Sequence, residues 1–239
     1  GPPSLIDSQR GRGEPTEAKT LFEQGRILRA VTQRLDLDGA ALKKQILAAD
    51  LDDAIRSRLA AQAAAAATPP DRLDVDASFR AVLPLTPNHA ALFRVQAELW
   101  RTSGRPPLSA WVPVLWDPLE PIALPEREPS RPVEVHTMRG EYRAAALNLA
   151  NSTDAPLEIR LRFRDLPQAP LPPYVTVHEV QWTDTSQGMP VTAALPEARR
   201  SGDGWTVTVL PGLVRQVWMT WHVTDVPAGD YAGTVVAET

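Results

Sequence analysis

From Thr16 to Thr68 the chain contains no proline, whereas from Pro69 onward prolines recur throughout, bringing the total to 24 in 239 residues. Proline removes a backbone donor and its ring clashes with the preceding helical turn. The first stretch is therefore free to be helical and the second is not. Hydrophobic spacing changes at the same place, from a helical repeat to an alternation of two. Four segments are expected: a tag remnant and disordered linker over 1–14, an α-helical segment over 15–70, a β-hairpin with a proline-rich connector over 71–130, and a β-sandwich over 131–239.

Within the helical part, Pro15 suits a first turn, and Leu21, Leu28, Val31 and Leu35 form a stripe flanked by Phe22 and Ile27. Asp36 to Gly39 interrupts it, and a second run carries Ala41, Leu42 and Ile46. Asp50 is placed to cap a third helix through Leu51, Ile55 and Leu59, with Asp53 in its first turn. The alanines from Ala63 to Ala67 extend it until Thr68-Pro69-Pro70 stops it. Eight Lys/Arg and eight Asp/Glu between Glu14 and Ala67 make a solvated outer face, not an anion-binding arm. The helices are expected to pack on one another or on the β part; a coiled coil that recruits another protein is the alternative.

Past Pro70, Phe93 to Leu99 alternates apolar and polar residues as a half-buried strand does, with a helix over Leu92 to Trp100 as the competing reading. Ser109 to Trp116 would return as an edge strand, because of Pro113. Strands are then expected at Glu134–Met138, Glu141–Ala150, Leu157–Arg164, Tyr174–Thr183, Val191–Leu195, Trp205–Leu210, Leu213–Val223 and Tyr231–Ala237. Asn151 to Pro156, Gly202-Asp-Gly204 and Pro211-Gly212 supply turns. Short strands at this spacing imply an immunoglobulin-like antiparallel β-sandwich, without the Cys–Trp–Cys signature of an antibody domain.

A net charge of -4 and a pI near 5.6 argue against a nucleic-acid partner. No stretch approaches the roughly 20 apolar residues of a membrane span. Zero cysteines exclude disulfides, thiolate metal sites and cysteine nucleophiles. Gly1-Pro2 has the look of a protease scar, and the chain stops directly after a strand-like run. A piece excised from a larger protein is expected.

Trp116-Asp-Pro-Leu119, Met138-Arg-Gly-Glu-Tyr142 and Ala146-Leu-Asn-Leu-Ala-Asn151 resemble β-sandwich modules that accompany glycoside-hydrolase-like barrels in large bacterial proteins. Pro211-Gly-Leu-Val-Arg-Gln-Val-Trp218 and Pro227-Ala-Gly-Asp-Tyr-Ala-Gly-Thr234 continue that style, so the resemblance covers about residues 111–238. It implies an accessory, non-catalytic module of a secreted or surface protein connected with polysaccharides. Its partners would be the neighbouring domains, and catalysis would belong to the absent barrel.

Candidate chemistry is sparse. His89, His136, His178 and His222 show no metal-ligand spacing, and no hydrolase elbow, phosphate loop or dinucleotide motif occurs. No catalytic residue, metal or cofactor is expected. On Leu157–Arg164, the row Arg160, Arg162, Arg164 could grip an anionic polymer, or be a solvated face or a protected edge. On Leu213–Val223, Leu213, Val217, Met219, Trp221 and Val223 form an inner face interrupted by Arg215. Gln216, Trp218, Thr220 and His222 form the other, mixing an aromatic ring with hydrogen-bonding groups as a sugar site does. The plainer alternative is Trp218 packed beneath the helices or a neighbouring domain, a burial that stabilises by about 2 to 3 kcal/mol. The functional expectation is a module that positions its neighbours, with carbohydrate binding and protein recruitment as alternatives.

Overall fold

The computed structural model describes residues 17–69, 82–125, 131–183, 185 and 190–239. Among them the fold is mainly β by number of elements: three helices come first, then ten strands in antiparallel sheets. The expectations for residues 1–16 lie outside the described residues.

The proline-free stretch is helical, but α1 (Glu17–Ala48) runs unbroken through Asp36 to Gly39. Asp38 sits in the helix because tertiary partners satisfy it. Arg34, one turn earlier, forks onto its carboxylate, and His89 Nε2 approaches it at 2.9 Å. The Leu85 N–H donates to His89 Nδ1 at 3.3 Å, leaving Nε2 as the ring donor to Asp38. Both Asp38 and His89 are 0% exposed. Gly39 lets the end of α2 (Asp53–Ala66) lie against α1, for a Cβ there would press on Ala67. The cap of α2 is Asp52, not Asp50, and its side chain makes no capping bond; Asp53 does occupy the first turn. Val31, Leu35, Leu42 and Ile46 are buried with Leu59 and Ala63 of α2. That part of the apolar stripe of α1 packs within the chain.

Phe93 to Leu99 is not a strand. It lies in α3 (Pro87–Thr102), with Pro87 in the first turn and the Thr86 hydroxyl accepting from the His89 N–H at 3.1 Å. The alternation misled because α3 is buried on more than one side, so Leu92, Gln96 and Trp100 are enclosed along with Phe93 and Leu99. The expected hairpin therefore does not form: β1 (Leu108–Trp111) pairs with β2 (Tyr142–Asn151). β1 does lie at a sheet edge, as Pro113 implied.

The remaining strands are β3 (Leu157–Arg164), β4 (Val175–Glu179), β5 (Gln181–Thr183), β6 (Val191–Ala194), β7 (Arg199–Ser201), β8 (Gly204–Val209), β9 (Val214–His222) and β10 (Thr234–Glu238). They form sheets ordered β1-β2-β9-β4 and β10-β3-β8-β7, plus the β5-β6 pair. Tyr174 to Thr183 is broken at Val180, whose N–H turns to the Gln216 carbonyl. Glu134 to Met138 joins no sheet, and Val133 and Val135 pack on the core without pairing. β7 was not foreseen. One apolar core lies between the four-stranded sheets: Leu147, Leu149, Val177, Val217 and Met219 meet Ile159, Leu161, Phe163, Trp205 and Val207. Leu213 leaves that set and joins the helical core.

Two crossovers between sheets meet at the fully buried Asn151. Its Nδ2 donates to the Ala155 and Val209 carbonyls, and its Oδ1 accepts from the Thr153 N–H and hydroxyl. The Gly212 N–H donates to the Asn151 carbonyl at 2.8 Å. Gly212 has φ of 67°, and a Cβ there would strike the Phe93 carbonyl of α3. Gln96 of α3 donates to the Gly212 carbonyl at 2.6 Å and to Pro121 at 3.0 Å. Helices and strands are thus joined by a turn that only glycine can make.

Candidate functional site

The register of β9 with its neighbours decides what its outward face presents. Gln216 faces Asn148 on β2, Trp218 lies between Ala146 and His178, Thr220 between Ala144 and Thr176, and His222 faces Tyr142. Gln216, Trp218, Thr220 and His222 therefore share a face, as the alternation implied. They do not share an environment. Val214 is closed beneath Trp100 and Trp111, and Gln216 is buried with its Nε2 donating to Asn148 Oδ1 at 3.2 Å. Trp218, Thr220 and His222 are only partly covered.

The expectation that Trp218 packs under the helices is not met; that cover stops at the Val214 end. Trp218 instead meets Trp116, ring centroids 5.8 Å apart and planes at 63°. Trp116 is 81% exposed, on the segment between β1 and β2. Further along, the Tyr142 and His222 rings stack at 3.9 Å with planes 7° apart, and Tyr142 is 67% exposed. The alanines at 144 and 146 add no bulk between these two aromatic stations. Beside the Trp116–Trp218 corner opens a cleft of about 170 Å³, whose lining includes Trp111, Val114, Asp117, Leu119, Asn148 and Gln216. The far end of the Trp116 segment is clamped to α3: the Ala123 N–H donates to Gln96 Oε1 at 3.2 Å, and Trp100 Nε1 donates to the Ala123 carbonyl at 3.1 Å.

The arginine row is differently placed. β3 lies between β10 and β8, so Arg160, Arg162 and Arg164 are not on an edge. Asp203 lies 3.5 Å from Arg160 and 3.1 Å from Arg162, while Glu238 lies 2.6 Å from Arg162 and 3.4 Å from Arg164. Each guanidinium already faces a carboxylate of this chain. Donating to Glu238 and Asp203 raises the Arg162 pKa, and accepting from Arg162 lowers that of Asp203.

Arg215, the intruder on the inner face, is half-buried beside Glu179, Nε to Oε2 3.6 Å, and donates to the Val180 carbonyl at 3.2 Å. Burial lowers the Arg215 pKa against the pull of Glu179, and burial raises Glu179 against the pull of Arg215. Burial also works to raise the Asp38 carboxyl, but hydrogen bonds from Arg34 and His89 outweigh it and hold it below its ordinary value. Asp38 and His89 are sealed from solvent, Arg34 is partly exposed, and together they fasten α1 to α3. His178 Nδ1 lies 3.1 Å from the Leu195 carbonyl, while Glu179 points to Arg215. Among the described residues no three His, Asp or Glu side chains gather as a metal cluster, and no helix is long and apolar enough to cross a membrane.

Trp116, Asn148 and Tyr142 escaped the reading of candidate residues. Strand alternation could have marked Tyr142 and Asn148, but pairing them with β9 needs a register between segments some 70 residues apart. Nothing local signals that Trp116 meets Trp218. Compared with known proteins, the chain matches no family model and no curated sequence.

Proposed function

We propose that this chain is a non-catalytic accessory module of a larger bacterial secreted or surface protein, an immunoglobulin-like sandwich whose helical layer helps hold neighbouring domains at a fixed spacing. The observation that carries this is the joint at Gly212. A spacer must transmit orientation, and here α3 seats on the turn between β8 and β9 with Gln96 bonded to Gly212 and Pro121. A hinge would expose polar linker at that point instead. Backbone 15N relaxation tests it. One correlation time for helices and strands is expected, and independent tumbling of the helices would refute the reading.

Carbohydrate binding is the second reading, favoured by the half-open Trp218 against the exposed Trp116. A sugar ring offers C–H groups to an aromatic face, which carries partial negative charge, and hydroxyls to neighbouring amides. Loss of oligosaccharide-induced fluorescence quenching in Trp218→Ala is expected on this reading. An unchanged signal in the mutant would exclude it.

A further inference from the structure

The strand face divides into two aromatic stations, and their geometry restricts the ligand. Resting on the carbohydrate-binding reading above, we infer that the Trp116–Trp218 corner and its cleft bind one unit of a single, uncharged polysaccharide chain, whose next units reach the Tyr142–His222 stack. Coplanar rings would suit a flat, crystalline surface; planes at 63° leave an angle that a lone chain can enter. The cleft, about 170 Å³, lies below the roughly 300 Å³ of drug-sized pockets and has room for one sugar ring.

The cleft lining sets the charge preference. Its charged member is Asp117, which can accept from two neighbouring hydroxyls but repels a uronate carboxylate. The carboxamides of Asn148 and Gln216 supply neutral polar contact beyond the single bond between them. The anionic alternative loses support on the opposite sheet too, where Arg160, Arg162 and Arg164 face Asp203 and Glu238. Along β9, His222 lies four residues from Trp218, about 13 Å at the usual rise of a strand. A chain of several units spans that distance; a disaccharide does not.

Calorimetric titration of the whole chain with gluco-, xylo-, manno- and galacto-hexaoses and with hexagalacturonate tests this. At least one neutral hexaose should bind and hexagalacturonate should not. Trp116→Ala and Asp117→Asn should each weaken binding about tenfold or more, the loss of a central contact. Tyr142→Ala should weaken the hexaose and leave the matching disaccharide unchanged. Circular dichroism should be the same in all three variants, since Trp116 and Tyr142 are exposed. Stronger retention on insoluble cellulose than by any soluble hexaose would overturn the corner geometry. Hexagalacturonate binding that needs Trp116 would overturn the neutral class while leaving sugar binding standing. No binding of any neutral hexaose at millimolar concentration would overturn the proposal, and with it the carbohydrate reading if hexagalacturonate also fails.

Discussion

The two ends of one strand face teach different lessons. At the Val214 end, β9 lies beneath Trp100 and Trp111, and its polar Gln216 is buried in a bond to Asn148. At the His222 end, the same alternation leaves Trp218, Thr220 and His222 partly open beside two exposed aromatic rings. The strand pattern is the same throughout. What differs is the cover: Trp100 of α3 and Trp111 close over the first end, whereas further along Trp218 meets the exposed Trp116 of the clamped segment. Packing encloses the first end; the second presents partly open aromatic rings.

The sharpest way to break this contrast is to loosen the cover. Asp38→Ala leaves the buried His89 and the half-buried Arg34 without their partner and should cost about 3 to 5 kcal/mol in urea unfolding. A loss under 1 kcal/mol would mean the helices do not depend on that contact. The same carboxylate predicts a pH effect. Its pKa is lowered by folding, so its contribution is present above the unfolded value near 4 and is lost as pH falls through the folded one. Acid titration of thermal stability should therefore show a decline below about pH 4 that Asp38→Asn flattens.

Gly212→Ala forces an L side chain to positive φ and against the Phe93 carbonyl. About 2 to 4 kcal/mol should be lost, with faster hydrogen exchange in α3. Unchanged exchange in α3 would separate helix seating from the turn. Trp218→Ala removes a partly covered ring and should cost only about 1 kcal/mol; a loss of 3 would identify it as core. Arg162→Ala, on the solvated face of the other sheet, should leave the unfolding midpoint within error, a result checked by calorimetry at low and high salt.

How much of this was legible follows from where each signal resides. Leu157 to Arg164 could be read to the residue because one face is core and the other charged, the simplest case of alternation. The helical start was legible through its missing prolines, yet Asp38 hid the continuity of α1, since its partner His89 lies 51 residues away. α3 was concealed by success of another kind. Packed against both the helical core and the first sheet, it buries a broad face, and only the narrow stripe of Arg94, Glu98 and Arg101 is left polar at helical spacing. Half of the candidate face was legible from β9 alone; Trp116 and Tyr142 required a register that no local spacing encodes.

The clamp of Gln96 and Trp100 on Ala123 has one further consequence. By tethering the far end of the segment that carries Trp116, the helical layer limits the reach of that segment. If the proposed sugar chain binds there, association would forfeit less motional freedom than with a slack loop. Gln96, far from the ring and without touching a sugar, would tune the lifetime of a complex through the stillness it imposes.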